Sequence, residues 1–394
     1  MSALSHIKVL DLSRVLAGPW ASQLLADLGA EVIKIENPKG GDDTRHWGPP
    51  YLQDRNGENT AESAYFLCTN RGKKSVCVDI HTDEGQAIIR SLACECDVLI
   101  ENFKVGGLAK YGLNYESLSK LNPSLVYCSI TGFGQTGPYK DRLGYDFLIQ
   151  AMGGLMSVTG EPTSAGGQPQ KVGVALTDIM TGLYASNGIL AALAEREKSG
   201  LGQHIDLSLF DVTAATLANQ ASNYLVGGIT PDRLGNAHPN IVPYQSFAAA
   251  DGHIVITVGN DTQFESLSTV LGLEELASDS RFITNSLRVK NRSELISIIQ
   301  SALLENSSEY WLNQCEVHGV PAGPINTIDQ VMNDPQIKAR EMVVTLDHAN
   351  SDKLEVVGNP IKFSRTPIQY RSAPPTLGEH TESVLETLKL SKKP

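Results

Sequence analysis

Asp178 is the single acidic side chain of Lys171-Val-Gly-Val-Ala-Leu-Thr-Asp178-Ile-Met-Thr-Gly182, an apolar run bracketed by glycines. From Ile179 the chain continues Leu183-Tyr-Ala-Ser-Asn-Gly-Ile-Leu-Ala-Ala-Leu-Ala-Glu195, a helical pattern whose small residues permit close packing. Asp178 therefore falls near the first turn of that helix. The partial positive charge of a helix N-terminus favours an ionised carboxylate there, suited in a partly dry site to act as nucleophile or base. Asp is also a preferred N-cap residue, and spacing alone leaves both readings open.

A second chemistry comes from cations placed where strands end. The chain opens with a buried-strand pattern, Ile7-Lys-Val-Leu-Asp-Leu12, then a turn, a helix with Pro19 in its first turn, and a second strand, Glu31-Val-Ile-Lys-Ile-Glu36. This strand-helix-strand unit opens a doubly wound fold. Its turn, Ser13-Arg-Val-Leu-Ala-Gly-Pro19, lacks the Gly-x-Gly-x-x-Gly cradle of dinucleotide sites. Alternation continues through strands at Ser75–Ile80, Asp97–Phe103, Leu125–Ile130 and Gln203–Ser208, with helices between them. Ligands of open parallel sheets bind beyond the carboxyl ends of the strands. There the sequence turns polar and glycine-rich, with Arg14, Lys39, Arg45, Arg71, Lys73, Lys74, Lys104 and Lys110 nearby. Such a cluster could receive phosphates, although most lysines simply face solvent. Six apart on a polar turn, Lys104 and Lys110 are the best phosphate partners by charge.

At 394 residues the chain suggests roughly two domains. Hydrophobic residues make up 41% and charged residues 19%, as in soluble globular proteins. No apolar run approaches the roughly 18 to 20 residues that span a bilayer, and the first residues lack a signal-peptide pattern, so a cytoplasmic protein without membrane partners is expected. Cys68, Cys77, Cys94, Cys96, Cys128 and Cys315 are scattered, so reduced thiols are expected, and Cys94-Glu-Cys96 lacks a second pair for zinc; no metal is expected. A net charge of -12 argues against nucleic acid as partner. The character changes after Leu225, where a long polar connection leads to a hairpin, Ser246–Thr257, with Asp251-Gly252 at its turn, and to helical patterns over 261–318.

Taken together, Arg14-Val-Leu-Ala-Gly-Pro19, Leu28-Gly-Ala-Glu-Val-Ile-Lys-Ile-Glu36, Asn70-Arg-Gly-Lys-Lys-Ser75, Glu101-Asn-Phe103, Asp178 and Gly200-Leu-Gly-Gln203 closely resemble the family III coenzyme A transferases, the relatives of formyl-CoA transferase and carnitine-CoA transferase. The likeness runs from Ile7 to about Pro367. It implies an α/β fold: a large Rossmann-like, CoA-binding domain from residues 1–220 and 331–394, with a smaller α+β domain, 221–330, inserted. It also implies a homodimer of two interlocked subunits. Asp178 takes the place of the family's nucleophile, which forms mixed-anhydride and aspartyl-CoA intermediates from an acyl-CoA donor and a free acid.

By the same resemblance Val15, Leu16 and Ala17 lie against adenine, Thr69, Asn70, Arg71 and Gly72 along the nucleotide, and Asn102, Phe103 and Lys104 at a strand end. Lys110 meets a CoA phosphate, and Thr131, Gly132, Phe133 and Gly134 lie near the pantetheine arm. Asn37 stands where formyl-CoA transferase has an arginine. Gly235-Asn236-Ala-His238-Pro-Asn240 replaces that enzyme's substrate-side glycine run, pointing to another acyl pair, with succinyl-CoA and a dicarboxylic acid expected. His238 and Arg45 are candidates for the acceptor carboxylate. Two other functions compete. An α-methylacyl-CoA racemase of the same superfamily reads Gly-His-Asp where this chain has Gly144-Tyr145-Asp146, which leaves Asp146 structural here. A non-catalytic nucleotide-binding module is disfavoured by the missing cradle glycines.

Overall fold

In the computed structural model, which describes residues 2–391, the chain divides into two compact units. The first takes Met1–Leu155, Val172–Ser222 and Pro335–Pro394, and the second Met156–Lys171 and Asn223–Asp334. The stretch 156–171, which the family resemblance places in the large domain, belongs to the second unit.

The first unit is built on six parallel strands: β1 (Lys8–Asp11), β2 (Glu31–Glu36), β3 (Lys73–Cys77), β4 (Val98–Glu101), β5 (Val126–Thr131) and β6 (His204–Ser208). Their order, β3-β2-β1-β4-β5-β6, reverses direction between β1 and β4. That is the switch point at which doubly wound sheets bind ligands. Side chains alternate between two buried faces, as a sheet covered on both sides requires. Val9, Val126, Cys128 and Ile130 join one core with Ala21 and Leu25 of α1 (Ala17–Asp27) and Ile189 of the long helix described below. Leu10, Leu99 and Tyr127 join the other, against Ile89 and Leu92 of α2 (Asp83–Glu95) and Leu118 of α3 (Tyr115–Leu121).

Two further helices bear on the site, α4 (Asp146–Met152) and α5 (Leu176–Ser199). The second begins three residues earlier than its apolar pattern suggests and stops where expected, at Gly200, whose φ of 74° ends the helix in the left-handed conformation. After β6 the chain forms two helices, Leu209–Thr216 and Ala218–Gly227, and Ala218, the first residue of the second, breaks the run with a φ of 43°. β3 lies two residues before its sequence estimate, since pairing with β2 closes at Glu36 and Cys77.

In the second unit, strands β7 (Tyr244–Ala248) and β8 (His253–Thr257) form the expected hairpin, and β9 (Ala322–Pro324) adds to its edge. Phe247, Ile254 and Ile256 pack there on Phe264, Leu295, Ile299 and Trp311 from its helices. No helix among the described residues is long and apolar enough to cross a membrane.

Candidate active site

The turn after β1 is held by buried charges. Asp11 accepts from Ser13 Oγ and Ser22 Oγ, each at 2.5 Å, and from Lys73 Nζ at 3.2 Å. Lys34 Nζ donates to Ser13 O at 2.8 Å and to Asp42 Oδ2 at 2.9 Å, and Asp42 Oδ1 accepts from Val15 N at 3.2 Å. Burial works against both ionised forms, yet the Lys34 ammonium and the Thr44 donors hold Asp42 at about 2. Lys73 is pulled down to about 8 by burial despite its pairing with Asp11. Val15 has a φ of 71°. A β-branched residue in that region costs on the order of 1–3 kcal/mol, and the surrounding bonds maintain it. The turn thereby leads Leu16 and Ala17 into α1 along the rim of a cleft.

That cleft, about 360 Å³, is lined by Val15, Leu16, Ala17, Asn102, Thr131, Gly132 and Asp178. A second, about 580 Å³, lies beyond β1, β2, β3 and β4 and contains Asn37 and Lys110. Arg14, Phe103, Lys104 and Val105 line both, so the two adjoin. Arg14 is half-exposed and pairs with Asp43 at 2.9 Å, with its guanidinium 5.7 Å from the Phe103 ring centre. Lys140 and Arg142 add positive charge to the Asp178 cleft. On a chain of net charge -12, this gathering of cations at the strand ends suits an anionic ligand.

Asp178 is the third residue of α5, and capping is done by another residue. Asp146, the first residue of α4, accepts at Oδ1 from Thr177 N at 2.9 Å and from Asp178 N at 3.3 Å. Gly132 and Gly144 let the loop before Asp146 approach β5: a Cβ on Gly132 would stand 2.7 Å from the Gly144 Cα. Thr213 Oγ1 adds a bond to Thr177 Oγ1 at 3.1 Å. Relieved of capping, the Asp178 carboxylate takes no hydrogen bond from the described residues and lines the cleft. Burial, and then the charge of Asp146, push its carboxyl up to about 7. A desolvated, unpaired carboxylate at the mouth of a cationic cleft is chemically a nucleophile or a base.

Not every candidate from sequence meets these clefts. Thr69, Asn70 and Arg71 are buried among internal partners. Asn70 bonds Phe66 O and receives Lys73 Nζ, and Arg71 grips Asp27 through Nε at 2.8 Å and Nη2 at 2.6 Å. Gly72 donates its N–H to Ser372 O. Phe133 packs in the core, and Gly134 N is taken by Thr131 Oγ1. Arg45 is buried and spends four of its five N–H donors on Glu36, Glu62 and Pro375 O, and it stacks 3.6 Å from the Phe66 ring centre, away from both clefts.

The substrate-loop candidates lie in the second unit and bond within it. Gly235 takes a φ of 59°, Asn236 Nδ2 reaches Ser246 Oγ at 2.9 Å, and His238 Nδ1 accepts from Asn240 N at 3.1 Å. Burial and the Arg292 charge lower the His238 pKa, favouring neutral imidazole. Sequence reasoning missed Tyr65, whose hydroxyl is pushed up to about 12 by burial and then by the charge of Asp178. A tyrosine in a four-residue helix, Ala64–Leu67, carries no periodic signal that would single it out. Among the described residues no group of three or more His, Cys, Asp or Glu is arranged to hold a metal.

The family profile for CoA-transferase family III matches residues 4–381. A succinate--glutarate CoA-transferase of Agrobacterium fabrum is 53% identical over 98% of this chain and 95% of its own length. The succinyl-CoA:glutarate CoA-transferase of Mus musculus is 44% identical over 98% of this chain and 86% of its own. The solved structure of a CaiB/BaiF family protein from Brucella suis superposes with a TM-score of 0.85 at 50% identity, covering 98% of this chain and 100% of that one.

Proposed function

The chain belongs to the family III CoA-transferases, an enzyme that moves CoA between carboxylic acids, and from that membership we propose that its donor is succinyl-CoA, its acceptor glutarate or a similar dicarboxylic acid, and its nucleophile Asp178. The observation that carries the nucleophile assignment is the Asp178 carboxylate itself, unbonded at the first turn of α5 and facing a cleft lined by Arg14, Lys104, Lys140 and Arg142. The substrates that the two relatives are named for support the acyl pair.

The reaction follows from the carboxylate. Asp178 attacks the thioester carbonyl of the donor, the C–S bond breaks, and CoA leaves as a thiolate, giving a mixed anhydride. The thiolate attacks the aspartyl carbonyl of that anhydride, forming an aspartyl-CoA thioester and releasing the donor acid. The acceptor carboxylate then attacks this thioester, and the returning thiolate takes its acyl group, which regenerates Asp178. No proton is gained or lost overall, and the covalent route replaces one difficult exchange by several easier ones. Each tetrahedral intermediate places negative charge on oxygen, where one well-placed donor is worth about 3 kcal/mol.

Arg14, Lys104 and Lys110 are suited to the phosphates of CoA, with Asn37, Asn102 and Phe103 along the nucleotide and Thr131 and Gly132 beside the arm. The exposed apolar side chains Leu143, Tyr145 and Phe147 support the interlocked homodimer that the family likeness implies. The racemase reading needs a histidine opposite the carboxylate, and among the described residues no histidine lines the Asp178 cleft.

The test is CoA exchange followed by mass spectrometry, with succinyl-CoA and a panel of dicarboxylic, hydroxy and aromatic acids. Glutaryl-CoA is the expected product, and Asp178→Ala should make none while still binding CoA. Exchange with non-dicarboxylic acids alone would overturn the acyl assignment. Retained turnover in Asp178→Ala would overturn the covalent scheme.

A further inference from the structure

Asp146 is 32 residues from Asp178 in sequence, on a different helix, and its side-chain hydrogen bonds among the described residues go to the segment that carries Asp178 and to the residue that braces it. Oδ1 takes the Thr177 and Asp178 amides at 2.9 Å and 3.3 Å, and Oδ2 takes Gln150 Nε2 at 2.7 Å. Gln150 is fully buried one turn along α4, and its Oε1 accepts from Val172 N at 2.9 Å. Its Nε2 also lies 3.4 Å from Val174 O. One helix therefore holds the chain entering α5 at Val172, Val174, Thr177 and Asp178. The residue at the N-cap position of α5, Ala175, has no side-chain acceptor of its own.

We propose that Asp146, braced by Gln150, is the positioning residue for Asp178: it caps α5 from outside, which leaves the Asp178 side chain free for the reaction, and it sets a fixed negative charge beside the nucleophile. This rests on the reading of Asp178 as nucleophile. An internal cap would have to sit at or just before the helix start, where an acceptor side chain would compete for the same amides. A cap borrowed from α4 removes that competition.

The neighbouring charge has a chemical effect. A like charge disfavours ionisation of Asp178 and raises the basicity of its carboxylate, adding to the larger effect of burial. Tyr65, which remains protonated, lies within reach of the Asp178 charge, and Arg14, Lys104, Lys140 and Arg142 line the same cleft, with Asp43 already paired to Arg14. Of the two acidic neighbours in the cleft region, Asp146 is the one hydrogen-bonded to the Asp178 backbone.

The test compares Asp146→Asn, Asp146→Ala and Gln150→Leu by pH profile and by the split between kcat and KM. Asp146→Asn keeps an oxygen for the two amides and loses the charge. Its acid limb should move to lower pH by about one unit, without reaching the ordinary carboxylate range because burial persists. Asp146→Ala loses the cap as well, and kcat should fall about 100-fold with KM for acyl-CoA nearly unchanged, as for misplacement of a reacting group. Gln150→Leu, which removes a brace and no charge, should lower kcat and leave the acid limb where it is. An unmoved limb in Asp146→Asn, or a loss in all three variants that tracks thermal stability alone, would overturn the proposal. Failure of the underlying reading shows separately, as turnover in Asp178→Ala or as absence of a CoA adduct on Asp178 in the unaltered enzyme.

Discussion

The side-chain amide of Asn102 holds the Arg14 backbone at both of its polar groups: Oδ1 accepts from Arg14 N at 2.9 Å, and Nδ2 donates to Arg14 O at 2.7 Å. The bond joins the chain leaving β4 to the chain leaving β1, across the point where the strand order reverses. It also fixes the residue before Val15, whose left-handed backbone needs outside support.

Asn102→Ala removes both bonds and should free the turn. KM for acyl-CoA should rise about tenfold, the equivalent of one or two lost hydrogen bonds, with a smaller change in kcat. Steady-state kinetics with succinyl-CoA checks this. An unchanged KM in a variant of normal thermal stability would mean that the turn holds its shape without Asn102.

Transfer should depend on pH through Asp178. Its carboxyl is pushed up to about 7, and only the ionised form attacks, so the rate should climb as pH rises through 7 and then level off. The same shift has a stability sign. The folded state holds the Asp178 proton more tightly than the unfolded chain does, so the folded state loses stability as pH rises from about 4 to about 7. Asp178→Asn removes that loss. It should be inactive and yet more stable than the parent by about 1–2 kcal/mol above pH 7, with the advantage shrinking toward pH 4. Thermal melts at both pH values check the sign, and a destabilised Asp178→Asn at pH 8 would contradict it.

Arg71 should behave as a structural residue. Its Nε and Nη2 donate to the two carboxylate oxygens of Asp27, and Nη1 donates to Val357 O at 2.9 Å. Arg71→Met leaves the buried Asp27 carboxylate with Asn359 Nδ2, at 3.0 Å, as its remaining partner among the described residues. Breaking a buried pair in this way costs about 3–5 kcal/mol. The melting temperature should fall steeply while KM for acyl-CoA in the surviving folded enzyme stays near its original value. A raised KM at normal stability would return Arg71 to the nucleotide.

The alternation of strands and helices, the strand ends as the side where the clefts open, and the place of Asp178 at a helix start were all legible from residue order. Each depends on local pattern: period-two and period-3.6 apolarity, turn residues, and one carboxylate in an apolar run. What residue order could not separate was one cation from another. Lys104 and Lys110 line a cleft, whereas Arg45, Arg71 and Lys73 are buried on Glu36, Asp27 and Asp11. All five carry the same charge in sequence, and what distinguishes them is a partner carboxylate that lies 9, 44 or 62 residues away for the buried three. The cap of α5 is the same kind of case. Sequence placed Asp178 at a helix start, where an aspartate caps or reacts. Only the folded chain, by bringing Asp146 onto the Thr177 and Asp178 amides, assigns capping to one aspartate and leaves the other unbonded, because hydrogen-bond satisfaction is decided in space and not along the chain.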